Sequence, residues 1–150
     1  MNLSQKCQYA FRAVFELARR HTKGEPVSAT EIAEAQAIPV RFLEQILGEL
    51  RQGGFVTSRR GAHGGYILTV SPAELKVGDI IRFVDGPISP VKCIVRGEEP
   101  ECGLRENCLF MEFWERAKRA VEEVYDSTTF ADLVREADER AKALAVNFSI

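Results

Sequence analysis

The sequence has no long hydrophobic run and few histidines. No apolar stretch approaches the ~20 residues that a membrane-spanning helix needs, so we expect no membrane partner. The first residues also lack the basic, apolar and small-residue order of a secretory signal, which predicts a cytoplasmic location. The two histidines, His21 and His63, lie in no recognisable nucleophile or metal-hydrolase pattern. We therefore do not expect an enzyme.

Cysteine is also scarce, and three of the four cysteines fall in one segment. Cys93, Cys102 and Cys108 lie in KCIVRGEEPECGLRENCLFMEFW, residues 92–114, whereas Cys7 lies on an apolar helical stripe, where a thiol is typically a small buried hydrophobe. In a reducing compartment, clustered cysteines indicate metal binding or redox chemistry. Their gaps of eight and five residues match neither zinc ribbons nor bacterial ferredoxins. Soft sulfur favours zinc or iron-sulfur centres, and the spacing leaves both open.

The net charge of −2 is unevenly distributed along the chain. Residues 1–70 carry nine Lys and Arg against six Asp and Glu, a net charge of +3. Residues 71–150 carry eleven against sixteen, a net charge of −5. The first half is therefore the better candidate for contact with a polyanion.

Hydrophobic periodicity predicts a mainly helical chain. Apolar residues recur at steps of three and four over residues 3–20, which predicts a first helix. Ser28 and Glu31 have the spacing of a capping box, which opens a short second helix at Ala29. A third helix is predicted from Val40, after a break at a proline. Two short helices across a tight turn are typical of a helix-turn-helix.

A β-hairpin is predicted directly after these helices. Residues 55–58 and 66–70 are rich in β-branched and aromatic side chains, and they flank a loop with three glycines that tolerate positive φ. Arg59 and Arg60 lie at the neck of this hairpin. The order helix, turn, helix, hairpin predicts a winged helix. The expected fold class is mainly α with a small β-hairpin wing.

The second half is predicted to contain three more helices. One covers residues 77–84, and one begins after the cap of Thr129 with Asp132 at its third position. Between them lies a long helix with a heptad-like apolar stripe, formed by Phe110, Trp114, Ala117, Val121 and Val124. The stripe indicates a dimer contact, although packing within one subunit is the alternative. We expect residues 1–70 to bind DNA, and residues 71–150 to supply a sensor loop, about 86–108, and dimerisation helices, all in one compact unit.

The predicted DNA contacts follow from the exposed face of the third helix and from the wing. In a helix-turn-helix the second helix offers its N-terminal residues to base edges. Arg pairs with guanine, Glu with cytosine and Gln with adenine, while basic side chains and glycine amides contact phosphates. The candidates are Ser28, Arg41, Glu44, Gln45, Arg59, Arg60, His63 and Gly64. Two copies joined through the stripe present two such helices about 34 Å apart, which matches a pseudo-palindromic site on double-stranded DNA.

These features together resemble the Rrf-type winged-helix regulators, which include IscR, NsrR, RirA and CymR. The resemblance is carried by LSQKCQYAFRAVFELA, IPVRFLEQILGELRQGGFVTSRRGAHGGYIL, VGDIIRFVDG, the three-cysteine stretch that ends in Trp114, and TFADLV. It implies a homodimeric transcription factor in which Cys93, Cys102 and Cys108 hold an iron-sulfur cluster, with 2Fe-2S favoured and 4Fe-4S as the alternative. The resemblance also aligns Glu44 with a recognition-helix glutamate that helps IscR-like members to distinguish operator classes. It aligns Arg60 with the arginine that precedes the wing glycines.

The chain departs from this family at the position of a fourth cluster ligand. Met111 stands where IscR-like members have a histidine, and Gln8 stands where NsrR-like members use an acidic residue of the partner subunit. The adjacent Cys7 and the nearby Glu112 are further candidates. Pro39 also replaces the serine usual at the start of the recognition helix, which removes a capping hydroxyl. The fourth ligand therefore stays open among Cys7, Gln8 and Glu112.

Three modes of control are compatible with the sequence. The first is a repressor or dual regulator that senses cluster status, nitric oxide or oxidant. The second is a thiol- or zinc-switched regulator that uses the same cysteines without iron. The third is a regulator that resembles CymR and receives its signal from a protein partner.

Overall fold

The computed structural model describes residues 1–149. Its regular elements are α1 Gln5–Arg20, α2 Ala29–Gln36, α3 Val40–Gln52, β1 Val56–Arg59, β2 Gly65–Leu68, α4 Val77–Asp85, α5 Met111–Ser127 and α6 Phe130–Phe148. Short 3-10 turns follow α1 at His21–Lys23 and interrupt the long α4–α5 connection at Lys92–Ile94 and Arg105–Asn107. The expected mainly helical fold with a two-stranded wing is confirmed. Within residues 1–149, no helix has the length and apolar character needed to cross a membrane.

The core forms where α1 packs against α2, α3, α4 and α6. α1 begins at Gln5, two residues later than expected, because the Ser4 hydroxyl accepts the Cys7 N–H and caps the helix. All four apolar residues of α3 that face inward are buried, namely Leu43, Ile46, Leu47 and Leu50. Cys7 is fully buried in the same core, as expected for a thiol on an apolar stripe.

The turn between α2 and α3 has the geometry of a helix-turn-helix. The capping box is confirmed, since the Ser28 N–H donates to Glu31 at 2.9 Å and the Glu31 N–H donates to the Ser28 hydroxyl at 3.2 Å. Ala37 is the C-cap of α2 and has a left-handed φ of 51°. α3 then begins without a side-chain cap, because Pro39 occupies its N-cap position.

The wing pairs β1 with β2 in antiparallel register, from Val56 opposite Leu68 to Arg59 opposite Gly65. The predicted strands 55–58 and 66–70 were therefore wrong at their ends by one or two residues. A third backbone segment joins the wing, because Val27 exchanges two hydrogen bonds with Tyr66, at 2.8 and 3.0 Å. A Cβ at Gly65 would collide with the Val27 carbonyl, so glycine is needed where these backbones meet.

The later helices attach to this core through α4 and the start of α6. Arg82 of α4 holds Asp126 of α5 with two hydrogen bonds, at 2.7 and 2.8 Å. The Gly78 backbone lies so close to Asp126 that a side chain there would displace the carboxylate. α6 starts with the expected capping box between Thr129 and Asp132.

Candidate functional site

The solvent face of α3 carries the side chains expected to meet base edges. Arg41, Glu44 and Gln45 are exposed on it, while the opposite face is buried in the core. Sequence reasoning missed Phe42, which is also on α3 and is 57% exposed. The sequence did carry a signal for this exposed residue, because Phe42 is an aromatic residue that lies off the apolar stripe of α3. An exposed Phe beside polar base-reading groups suits contact with a thymine methyl.

The wing places its polar side chains next to the start of α2. Arg59, Arg60 and His63 are exposed, whereas Ser28 and Gly64 are half-buried. Ser28, His63 and Gly64 line one cleft of about 500 Å³ between the wing and α2. The structure therefore brings these three predicted residues together.

Two carboxylates share this cleft, and they shape its electrostatics. Glu25 and Glu31 both line it. The backbone N–H of Ser28 donates to Glu31 and holds the pKa of Glu31 below its usual value, so this group stays ionised. Anions are repelled at that end of the cleft. The nearby arginines of the wing, Arg59 and Arg60, are more favourable contacts for an approaching phosphate.

The helix-turn-helix is tied to α1 by a buried carboxylate that sequence reasoning also missed. Glu16 is only 2% exposed. It accepts hydrogen bonds from Arg20 at 2.8 Å, from Gln36 at 2.8 Å and from Arg19 at 3.4 Å. Arg12 donates to the Gln36 carbonyl at 2.9 Å, so the C-terminal end of α2 is held by two bonds to α1.

The burial of Glu16 and its hydrogen bonds have opposite effects on its pKa. Burial alone raises the pKa of a carboxyl group, but the hydrogen bonds from Gln36 and Arg20 and the charges of the two arginines outweigh it. The pKa of Glu16 is therefore lowered, and the group is a buried carboxylate with satisfied partners. It fixes the α2–α3 turn, and with it the orientation of α3.

The cysteine segment, residues 86–110, connects α4 to α5. Cys93 and Cys108 are half-buried and Cys102 is exposed, and all three are free thiols. Three thiols are a donor set that soft metals prefer. Within residues 1–149, however, no three His, Cys, Asp or Glu side chains lie together closely enough to hold a metal ion. The three cysteines are therefore close in sequence but do not fit a cluster in this conformation.

The candidates for a fourth ligand lie in different surroundings. Cys7 is buried, and this burial, together with the neighbouring Asp85, raises the pKa of its thiol to about 11. The thiol is thus protonated without a metal, and ligation would have to displace this proton in a buried site. Gln8 is exposed and donates its amide to the Leu3 carbonyl at 3.1 Å, and Glu112 is exposed in the first turn of α5. None of the three belongs to an assembled site in the described part of the chain.

The predicted dimer stripe lies on α5, which buries no residue fully within this subunit. Phe110 is 63% exposed and Val124 is 60% exposed, while Trp114, Ala117 and Val121 are half-buried. Val121 packs against the core of its own subunit, so part of the stripe serves intramolecular packing. The two ends of the stripe are uncovered.

Comparison with known proteins identifies the family. A family model described as an iron-dependent transcriptional regulator, Rrf2, matches residues 3–136. The chain is 41% identical over 143 residues to the HTH-type transcriptional regulator CymR of Bacillus subtilis, covering 95% of this chain and 96% of CymR.

Two solved structures support the same assignment. The structure of B. subtilis CymR, described as the global cysteine regulator, matches with a TM-score of 0.76 at 40% identity, covering 91% of this chain and 98% of that one. T. potens IscR matches with a TM-score of 0.73 at 37% identity, covering 93% and 90%. The chain therefore belongs to the Rrf2 family of DNA-binding transcriptional regulators, and it is not an enzyme.

Proposed function

We propose that the chain is a homodimeric repressor that acts in the cytoplasm on a pseudo-palindromic operator. The observation that carries this proposal is the solvent face of α3, where Arg41, Glu44 and Gln45 lie exposed beside the wing. α3 enters the major groove, and Arg59 and Arg60 contact the backbone or the minor groove. Of the three cleft residues, His63 and Gly64 on the wing approach phosphates, whereas the Ser28 N–H is already bonded to the ionised Glu31, so Ser28 contributes by holding the start of α2 in place.

Dimerisation through α5 is the second part of the proposal. Isolated exposed hydrophobic residues are ordinary, but exposed Phe110 and Val124 and half-buried Trp114 recur on one side of α5, which has no fully buried residue. A second copy that packs α5 against α5 covers this stripe. The pairing gives two recognition helices with two-fold symmetry, as a pseudo-palindromic operator requires.

Control is proposed to act through the cysteine segment. The segment begins at the end of α4 and ends at the start of α5, and Arg82 and Asp126 join these two helices. A change in the segment therefore acts on the relative position of the DNA-reading part and the dimer helix. The contact between α4 and α5 resists a movement of α5 relative to the DNA-reading part. The Arg82–Asp126 ion pair therefore sets how strongly the cysteine segment and the DNA-reading part are coupled.

The chemical event at the cysteine segment is proposed on the basis of its three thiols. Cys93, Cys102 and Cys108 are the proposed ligands of an iron-sulfur cluster, 2Fe-2S or 4Fe-4S, and the segment must rearrange to bring them together. IscR, which matches this chain, supports this mode. A thiol or zinc switch uses the same residues without iron.

Control by a protein partner is the second candidate, and the high identity to CymR favours it. In that mode the three cysteines are incidental. Replacement of Cys93, Cys102 and Cys108 by Ser then leaves regulation intact, whereas it abolishes the response in the first mode.

Operator binding is tested with α3 variants on a sequence selected from random DNA. Arg41→Ala is expected to weaken binding by about tenfold or more and to relax the preference at one base pair, since a bidentate contact discriminates by ~1–3 kcal/mol. Arg140→Ala, which removes an exposed arginine from α6, is the matched control for charge and surface. Equal losses in both variants refute the proposed reading face.

Phe42→Ala gives a more specific test of the same face. If Phe42 contacts a thymine methyl, the variant is indifferent to replacement of that thymine by uracil, whereas the unmodified chain loses affinity. A chain that ignores uracil at every operator thymine excludes the methyl contact.

The metal question needs protein purified without oxygen. Iron and acid-labile sulfide with visible absorbance support a cluster, and zinc without iron supports the second mode. A colourless, metal-free protein after reconstitution with iron and sulfide, with normal operator binding, refutes metal-dependent control.

A further inference from the structure

A cleft at the opposite end of α1 from its cap joins the DNA-binding half to α6. It has a volume of about 450 Å³ and lies between the end of α1, the loop 71–73 after the wing, and α6. Small-molecule sites typically measure ~300–1,000 Å³, so its size suits a metabolite. Ala131 donates its N–H to the Pro72 carbonyl, and Phe130 donates to the Leu75 carbonyl, both at 3.0 Å. The first of these bonds joins two residues that line the cleft, Ala131 and Pro72.

The polar groups of this cleft are incompletely paired. The Nδ1 atom of His21 is buried and has no hydrogen-bond partner within residues 1–149. Such groups are rare in native structures and each needs an explanation. On the α6 wall, Asp138, Glu139 and Lys142 have no ion-pair partner in the described part of the chain. Arg135, on the same wall, pairs with Asp132 at 2.7 Å.

We propose that this cleft binds a small zwitterion of the α-amino acid class. The wall offers two cationic and two anionic side chains, so its charge is balanced, and it suits a ligand that also carries both signs. Lys142 and Arg135 face the ligand carboxylate, and Asp138 and Glu139 face its ammonium group.

Binding at this cleft acts on α1 and α6 together. The ligand changes operator affinity only through a difference in its own affinity for the free and the DNA-bound forms. The ligand site itself is independent of the proposed operator function, whereas its effector role rests on that function.

The probe for the test is L-glutamine, which carries both charges of an α-amino acid and an uncharged polar side chain. It is titrated at millimolar concentration into isotope-labelled full chain, with chemical shifts as the readout. L-Glutamine α-amide lacks the carboxylate, and N-acetyl-L-glutamine lacks the ammonium group. We expect saturable shifts at the cleft with L-glutamine and about tenfold weaker binding of both derivatives, since a hydrogen bond to a charged group contributes ~1.5–3 kcal/mol.

A pair of double variants locates the site. Asp138→Asn with Lys142→Gln is expected to abolish the shifts. Glu136→Gln with Arg140→Gln, the same charge pair on another face of α6, is expected to leave them unchanged. Absence of saturable binding, equal binding of the three probes, or loss in the control variant overturns the proposal.

Operator titrations separate the effector role from the site. A change in operator affinity with L-glutamine supports the effector role, and an unchanged affinity despite saturated binding overturns it. If the protein binds L-glutamine at this cleft but binds no operator, the proposed DNA function fails and the ligand site stands.

Discussion

Glu16→Gln should lower the free energy of unfolding by about 2 kcal/mol, because it removes charge-assisted hydrogen bonds that contribute ~1.5–3 kcal/mol each. Glu16 is 2% exposed and receives bonds from Arg20 and Gln36 at 2.8 Å. The glutamine keeps one acceptor oxygen but places an NH₂ group where the carboxylate accepted. Arg20 is one-third exposed, so water compensates part of the loss.

The stability cost of Glu16→Gln should depend on pH. The pKa of Glu16 is lowered in the folded protein, so its contribution is complete above the unfolded pKa of ~4.3 and is lost as the pH falls through the folded value. The difference between the unmodified chain and the variant should therefore be constant near neutral pH. Below about pH 4.3 it should shrink.

Urea denaturation followed by far-UV circular dichroism measures both effects, at one protein concentration because a dimer's stability depends on it. Glu34→Gln, an exposed change on α2, is the control and should stay within about 0.5 kcal/mol of the unmodified chain. The reasoning is refuted if Glu16→Gln matches this control, or if its deficit grows on acidification.

Three further predictions concern other single positions. Ala37→Gly should raise the melting temperature and stabilise the fold by about 0.5 kcal/mol, since a left-handed φ costs an L-residue ~1–2 kcal/mol and the freedom of glycine cancels part of that gain; a lower melting temperature contradicts it. Asp126→Asn should cost at most about 1 kcal/mol, because its pair with Arg82 is partly exposed. The hydrogen bond from Arg82 lowers the pKa of Asp126, so this cost should begin to shrink below about pH 3.9 and disappear only once the pH has fallen through the lower folded pKa; a double-mutant cycle with Arg82→Gln checks it. In mildly alkaline solution, iodoacetamide should label exposed Cys102 rapidly but spare Cys7, whose thiol is buried with a pKa of about 11; mass spectrometry that finds Cys7 labelled first refutes this.

Local sequence signals predicted most of the helical structure correctly. The capping boxes at Ser28 and Thr129 and the buried face of α3 depend on residues three or four apart, so their spacing is visible in the chain itself. The strand ends were wrong by one or two residues, and the bridge from Val27 to Tyr66 was not predicted because Val27 is far from the hairpin in sequence. Pairing with a distant segment leaves no local pattern.

The candidate DNA-reading face was likewise predictable in part. The helical period alone predicts that the side chains of Arg41, Glu44 and Gln45 are exposed, because the opposite face of α3 is buried in the core. The exposure of Phe42 did not follow, since an aromatic residue in a helix is ordinarily placed in the core. The cysteines were correctly found as a group in sequence, but closeness in sequence does not bring side chains together across an irregular segment.

The sequence by itself determined the helices, their caps, the wing and the family to which the chain belongs, because each rests on short-range periodicity or on a contiguous motif. Only the tertiary structure decided that Glu16 is buried against Gln36, that Arg82 holds Asp126, and that His21 faces a cleft lined by α6. These contacts join residues that are twenty to more than a hundred positions apart. They depend on how the helices pack against each other, and packing is a property of the folded chain as a whole.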